Sequence, residues 1–150
     1  MAADKWKIYD GFLEYMGDNT IDMDTDTFKV GLYLSTSNAA TLTTDDVAAL
    51  TNEHANANGY TTGGNTLASV TWSETTGTVT FDAADTVWTA SGGSITARFA
   101  VIYSDTSVTD KLVAYSLLDN APADVTATDG NTLTIQMNAS GIFTGTADNT

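Results

Sequence analysis

The segment SITARFAVIY, at residues 94–103, has apolar side chains on both faces that an extended strand would form. One face would carry Ile95, Ala97, Phe99, Val101 and Tyr103. The other face would carry Thr96, Arg98, Ala100 and Ile102, and it is apolar enough to indicate that it is covered too. Successive side chains of a strand point to opposite sides of a sheet, so both sides of this strand need cover. The segment therefore predicts a central β-strand.

Shorter runs with a period of two occur on both sides of this segment. The first, FKVGLYL, places Phe28, Val30, Leu32 and Leu34 on one face. Further strands are predicted around Trp72 and Phe81, at Val87 or Trp88, and over residues 113–117 and 133–137. Threonine, which is β-branched and favoured in strands, is the commonest residue. Seven or eight short strands with turn residues between them predict a mainly β protein, an antiparallel β-sandwich of jelly-roll or immunoglobulin-like type.

The beginning of the chain has a different period. Apolar side chains recur there at steps of three and four residues, at Trp6, Tyr9, Phe12, Leu13 and Met16. With Asp4 as the N-cap and Gly17 as the stop, this pattern predicts an α-helix. The helix packs either on its own sandwich or, as an arm, on a neighbouring subunit. The sequence thus divides into a helical arm, residues 1–20, and a sandwich domain, residues 21–150.

A second, short helix is predicted inside the domain, in TTDDVAALTNEH. Thr44 or Asp45 would cap it, and Val47, Ala48 and Leu50 would form its apolar side. His54, the only histidine, is expected near its end and in contact with solvent.

The charge of the chain excludes several functions. Nineteen acidic and five basic residues among 150 give a net charge of -14, which disfavours nucleic-acid binding, because Lys and Arg supply most of that affinity. No apolar run approaches the roughly 20 residues of a membrane helix. The start, MAADKWKIYDGF, lacks the apolar region of a signal peptide, so export by that route is not expected.

The stretch SGGS, at residues 91–94, is the first candidate for chemistry. A phosphate-binding loop requires a helix directly after its glycines, but a strand pattern follows here. The Gly-x-Ser-x-Gly pattern of a nucleophilic serine is also absent. Adjacent glycines between two strand patterns predict a β-hairpin turn, and Asp129, Gly130 and Asn131 predict another.

Catalytic and metal-binding patterns are equally sparse. Any Ser-His-Asp catalysis would have to use His54, and one histidine without cysteine excludes a three-histidine zinc site. The carboxylate pairs Asp45/Asp46 and Asp82/Asp85 leave glycoside hydrolysis as a distant alternative. No catalytic residue and no cofactor is therefore predicted, and the protein is expected not to be an enzyme.

The run DMDTDTF is a candidate for calcium. Asp22, Asp24 and Asp26 alternate as the ligands of a calcium loop do. An EF-hand counted from Asp22 would need Gly and Glu where Thr27 and Tyr33 stand. The run is predicted to be a solvated acidic linker, with a calcium site as the alternative.

The order of four motifs gives the chain a resemblance to a known family. FKVGLYLSTS, NGYTTGGNTL, FDAADTVWTASGGSITARFAVIYSD and LVAYSLLDN follow one another over roughly residues 28 to 120. This order resembles that of small virion structural proteins of tailed bacteriophages, of the head decoration (cement) type or other capsid- or tail-attached subunits. These are packing and turn patterns, so the resemblance transfers no catalytic residue. It implies a non-enzymatic β-sandwich that works as an assembled subunit.

The resemblance also implies partners and a location. The partners would be the major capsid protein and copies of the chain itself, with a trimer favoured, on the capsid surface of a virion made in the host cytoplasm. Aromatic side chains dominate the energetics of interfaces, so the partner-binding candidates are Trp6, Tyr9 and Phe12 on the arm and Tyr60 in the loop 55–65. The rival hypothesis is a tail-associated or host-recognition subunit that binds a receptor or carbohydrate through Asn- and Thr-rich loops.

Overall fold

A computed structural model describes residues 3–121 and 123–148. These residues form a mainly β protein with several antiparallel sheets and one short α-helix, α1 (Phe12–Gly17). The strands are β1 (Lys7–Ile8), β2 (Phe28–Tyr33), β3 (Asn65–Thr66), β4 (Thr71–Thr75), β5 (Thr78–Asp82), β6 (Thr86–Thr89), β7 (Ile95–Ala97), β8 (Phe99–Ser104), β9 (Leu112–Leu117), β10 (Val125–Ala127), β11 (Thr132–Ile135) and β12 (Phe143–Thr146). No helix in the described ranges is long and apolar enough to span a bilayer.

The largest sheet has five strands in the order β1-β9-β8-β2-β3. Its centre is β8, whose residues after Phe99 are all buried, so the prediction of a central strand is confirmed for this half of SITARFAVIY. The alternation of β2 is also confirmed. Phe28, Val30 and Leu32 are completely buried on one face, and Tyr33 is buried on the other.

The prediction of one continuous strand over residues 94–103 is wrong, because the chain leaves its ladder at Arg98. The backbone N–H of Arg98 donates to the Tyr33 carbonyl (2.8 Å), and its carbonyl accepts from the N–H of Leu118 (3.0 Å). The side chains therefore change faces. Ile95 packs with the core on one side of the large sheet, whereas Val101 packs on the other.

Four antiparallel ladders are nested in the second half of the chain. Strand β8 pairs with β9, β7 with β10, β6 with β11, and β5 with β12. In the sequence, the two strands of each ladder lie on either side of the ladder named before it, with β8–β9 innermost and β5–β12 outermost. The outermost strand, β5, also pairs with β4, which completes a three-stranded sheet.

The hairpin predicted at SGGS is wrong, because the strands on its two sides pair with different partners. The strands on the two sides of the Asp129–Asn131 turn, β10 and β11, also pair with different partners. The SGGS stretch and the Asp129–Asn131 turn lie opposite each other, at the point where the nested ladders bend. The N–H of Gly92 donates to Asp129 Oδ1 (2.8 Å), and that of Gly130 donates to the Ala90 carbonyl (2.8 Å). Gly92 and Gly130 both have positive φ, which glycine adopts without strain. The pair of glycine turns thus bends one two-stranded ribbon.

Two hydrophobic cores lie on opposite faces of the large sheet. The first core joins β2 and β8 to the shorter sheets and includes Phe28, Phe81, Trp88, Ile95, Ile102 and Ile135. The second core is built mainly from tyrosines and contains Tyr9, Tyr33, Ala39, Val101, Tyr103, Leu112 and Tyr115.

The N-terminal helix differs from its prediction. Lys7 and Ile8 form a strand that pairs with Tyr115 and Ala114 of β9, and the helix begins only at Phe12. The edge of β9 supplies backbone partners that a helix from Asp4 would leave unused, so the extended form is favoured here. Side chains of this segment enter both cores, Tyr9 the second and Phe12 the first. The predicted domains end at residues 1 and 150, which lie outside the described residues.

The internal helix is a single 3-10 turn at Val47–Ala49. Its cap is Asp46, whose carboxylate accepts from the N–H of Ala49 (3.1 Å), and not Thr44 or Asp45. Sequence reasoning placed the helix correctly but chose the wrong neighbouring residue as its cap.

Candidate functional site

Three of the four predicted contact residues are buried inside the protein. Tyr9 and Tyr60 are 2% exposed and Phe12 is 0% exposed. The expected exposure of Tyr60 is therefore wrong, and none of these three side chains is presented at the surface. Trp6 is half-buried at the surface and packs against the first core.

Tyr60 is buried because its hydroxyl joins a hydrogen-bonded network. It donates to Glu53 Oε1 (2.6 Å) and accepts from the N–H of Leu32 in β2 (3.0 Å). The same Glu53 oxygen accepts from the N–H of Gly63 (2.6 Å), and Tyr103 donates to the Gly63 carbonyl (2.6 Å). The network fixes the loop 55–65 against the large sheet. Its role in the described structure is to hold this loop in place.

Burial raises the pKa of Tyr9, Tyr33 and Tyr60 far above the ordinary value of about 10, and Glu53 raises that of Tyr60 further. Above pH 10 the folded protein keeps protons that the unfolded chain loses. The free energy of unfolding is therefore expected to be unaffected by these groups below pH 10. Above it, the free energy should fall by about 1.4 kcal/mol per pH unit for each tyrosine. Urea denaturation between about pH 8 and pH 11 measures this.

The Tyr60→Phe variant is the matched comparison for that measurement. It should lose about 1–3 kcal/mol at neutral pH, because the N–H of Leu32 and the Glu53 carboxylate lose a partner. Its stability should then fall less steeply with pH, since one titrating group is gone. Equal slopes for the two proteins would contradict the assignment.

His54 is buried, and its expected contact with solvent is wrong. It is 7% exposed, its ring lies 5.1 Å from that of Tyr60, and Nδ1 is 2.8 Å from the Ala55 carbonyl. Glu53, its neighbour, forms an isolated bridge with Tyr33 instead of ending a helix. His54 thus belongs to the packing beneath the loop 55–65.

The acidic run is folded as a turn. The Asp22 carboxylate accepts from the N–H of Asp24 (3.0 Å), and Asp26 Oδ2 accepts from the Asp22 N–H (3.2 Å) and from Ser104 Oγ (2.7 Å). Within residues 3–121 and 123–148, no three His, Asp or Glu side chains are grouped to hold a metal ion. Asp22, Asp24 and Asp26 are therefore not gathered as calcium ligands.

The carboxylate pairs also have structural partners. Asp85 Oδ1 accepts from the N–H of Met137 (2.7 Å), and Asp82 Oδ1 accepts from the N–H of Ala83 (2.9 Å). Asp46 caps the 3-10 turn and lies 3.8 Å from Lys111 Nζ. These hydrogen bonds account for the positions of the three carboxylates in loops and at strand ends.

A groove of about 1110 Å³ runs beside Trp6, and we name it the Trp6 groove. Its walls are the N-terminal segment, β11, β12 and the connection between those two strands. Its lining combines apolar side chains, Trp6, Leu133 and Ile142 among them, with polar ones such as Gln136 and Asn138. Of the four sequence-predicted contact residues, Trp6 is the one that lines this groove.

A smaller pocket of about 340 Å³, the Trp72 pocket, lies between α1, the acidic turn and β4. It is lined by Leu13, Met16, Gly17, Asn19, Ile21, Asp22, Met23, Asp24 and Trp72. Sequence reasoning missed this pocket because Trp72 comes from a distant strand. Met23 could have indicated the pocket from the sequence, because an apolar residue between two aspartates is not expected in a solvated linker.

Most of the basic side chains form ion pairs within the protein. Four of them form ion pairs, which are Lys7–Asp4 (3.0 Å), Lys29–Asp105 (2.9 Å), Arg98–Asp124 (2.8 Å) and Lys111–Asp46 (3.8 Å). The fifth, Lys5, lines the Trp6 groove. Many of the remaining acidic side chains are exposed, Asp10, Glu14 and Asp18 among them, whereas Asp119 is buried.

Comparisons with protein-family models, with curated proteins and with solved structures found no match to this chain. A functional assignment therefore rests on the contacts, concavities and charges described above.

Proposed function

We propose that this chain is a non-enzymatic structural subunit of a tailed-phage virion, a head decoration protein that binds and stabilises the major capsid lattice. The resemblance motifs contain β2, β3, β6, β7, β8 and β9 together with residues 58–64 of the loop 55–65. The motifs supply strand pairing and core packing, as expected for a subunit that binds its partners through its surface.

The nested ladders are the observation that carries this proposal. We propose that the sheets pack as the antiparallel sandwich predicted from the sequence, in its jelly-roll form. A jelly roll is a double sheet of antiparallel strands that is common in viral capsid and lectin domains. The pairing of β5 with β12, β6 with β11, β7 with β10 and β8 with β9 has the nesting that such a fold requires. The step from this fold to a virion role is an analogy, which the acidic surface supports.

The charge of the chain fits a subunit that coats a particle. A net charge of -14 makes decorated particles repel one another, which keeps them dispersed. It also favours docking on a basic patch of the lattice over contact with nucleic acid. The proposed self-association, with a trimer favoured, is measured by light scattering of the purified protein.

The direct experiment images virions of the phage that encodes the chain, and heads that lack it, by electron microscopy. Density at fixed positions of the capsid lattice, restored by adding the purified protein, is the expected result. Decorated heads should also release their DNA at a higher temperature than bare heads. Density confined to the tail, or no density on virions, would overturn the decoration role.

Trp6→Ala tests whether the N-terminal segment contacts the lattice. A half-buried tryptophan at an interface contributes about 2 kcal/mol or more, so binding to bare heads should weaken at least about thirtyfold. Val108→Ala, at a residue that is 82% exposed, is the control and should bind normally. Circular dichroism confirms that both variants are folded. Unchanged binding of Trp6→Ala would remove this segment from the contact.

The Trp6 groove favours a second candidate, a virion subunit that binds a host carbohydrate. A tryptophan beside Gln, Asn and Thr side chains provides a stacking surface together with hydrogen-bonding groups. Titration with oligosaccharides, followed by isothermal titration calorimetry, tests it. Saturable binding that is lost in both Trp6→Ala and Gln136→Ala would favour this candidate over decoration.

A further inference from the structure

The Trp72 pocket is lined by both apolar and acidic side chains. Met16, Met23 and Trp72 supply apolar and aromatic surface, and Leu13 beside them is 64% exposed. Asp22, which is half-buried, and Asp24, which is exposed, line the same pocket. Its volume of about 340 Å³ is near the lower end for ligand sites, so it suits one long side chain.

The charge around the pocket has one sign. Between Lys7 and Lys29 the chain has six acidic residues and no basic one. The Asp22 carboxylate is oriented by the N–H of Asp24, and no described residue donates a hydrogen bond to the Asp24 carboxylate. Of the five basic side chains, four are ion-paired elsewhere and the fifth, Lys5, lines the Trp6 groove. No cation of the described chain therefore occupies the pocket.

We propose that the Trp72 pocket binds an arginine side chain presented by another protein. A planar guanidinium stacks on tryptophan and forms charge-assisted hydrogen bonds with carboxylates, whereas an ammonium does only the second well. The methylene groups of arginine would lie along Met16 and Met23. The exposed Leu13 extends the apolar surface to residues that flank the arginine in its own chain. This inference goes beyond the proposed function, because it holds for any protein partner and does not require a capsid.

The experiment is an NMR titration of the full chain with a blocked pentapeptide that has arginine between glycines. Signals of the Trp72 indole N–H and of the Met16 and Met23 methyl groups are expected to shift and to saturate. A peptide with citrulline, which has the shape of arginine without its charge, should give no saturable shift.

Three variants make the test specific. Asp24→Asn removes an exposed carboxylate that accepts no hydrogen bond from the described residues. It should weaken binding of the arginine peptide about tenfold or more, the effect of one charge-assisted hydrogen bond. Trp72→Leu should weaken binding to a similar degree. Asp110→Asn makes the same change of charge outside the pocket, at a residue whose positive φ asparagine tolerates, and should bind normally.

Three outcomes would overturn the proposal. The citrulline peptide could bind as tightly as the arginine peptide, which would make the pocket apolar in its preference. The shifts could spread over the acidic surface without saturating, or Asp24→Asn and Asp110→Asn could behave alike. None of these measurements uses capsids, so a failure of the arginine site would not contradict the proposed decoration role.

Discussion

Replacing Phe81 by alanine is expected to lower the free energy of unfolding by about 3–5 kcal/mol, the cost of removing a fully buried aromatic side chain. Phe81 is 0% exposed, and its ring centre lies 5.2 Å from that of Phe28 and 5.2 Å from that of Phe143. These contacts join β5 to β2 of the large sheet and to β12 of its own sheet. Alanine would leave a cavity at the point where the two sheets share the first core.

Urea denaturation at neutral pH measures this loss. Val108→Ala also removes apolar atoms, but at a residue that is 82% exposed, and should change stability by no more than about 0.5 kcal/mol. Phe81→Leu, which keeps most of the volume, should fall between the two. A loss below about 1 kcal/mol for Phe81→Ala would contradict the packing of the first core.

Gly64→Ala is expected to cost at least about 3 kcal/mol, because it combines a strained backbone with a collision. Gly64 has a φ of 70°, and a Cβ there would lie 1.9 Å from the Val30 carbonyl oxygen of β2. The loop 55–65 would have to move away from the large sheet. That movement would also pull Gly63 away from Glu53, so the network around Tyr60 would be disturbed.

Gly77→Ala is the matched control, since Gly77 has a φ of 83° but no atom within 4 Å of the added Cβ. It should cost only the left-handed backbone term of about 1–2 kcal/mol. Asparagine relieves that term, so Gly77→Asn should approach the stability of the original protein while Gly64→Asn should not. Thermal and urea unfolding of the four variants distinguish the two effects. Equal losses at Gly64 and Gly77 would show that the close approach to Val30 costs nothing.

The strands were predictable from sequence where local periodicity decides the structure. β2 follows its pattern because a shift of one residue would place Lys29 in the first core and move Phe28 and Val30 out of it. β8 follows from its apolar residues, which require cover on both faces. The helical period of residues 4–16 gave the wrong structure for its first half. Lys7 and Ile8 gain backbone partners on β9, a distant strand whose position no local pattern contains.

The glycine turns and the pockets depended on tertiary structure in the same way. Gly92 and Gly130 were correctly recognised as turn residues, but which strands they connect is decided by pairing across the chain. The polar neighbours of Tyr60 predict a surface residue. In the structure its hydroxyl is buried, where it donates a hydrogen bond to Glu53 and accepts one from the Leu32 N–H. The Trp72 pocket combines α1, the acidic turn and β4, so no single segment indicates it.

The nesting of the four ladders also bears on the order in which the chain folds. The innermost ladder joins residues close in sequence, such as Phe99 and Leu117, whereas the outermost joins Phe81 to Phe143. Closing a longer loop costs more conformational entropy, but each ladder that forms shortens the loop left for the next. Folding is therefore expected to start at the β8–β9 connection and to proceed outward through the bent ribbon. The contact between Phe81 and Phe143 would form last among these ladders, so the addition of β12 to the local β4–β5 hairpin is expected to be the slowest step.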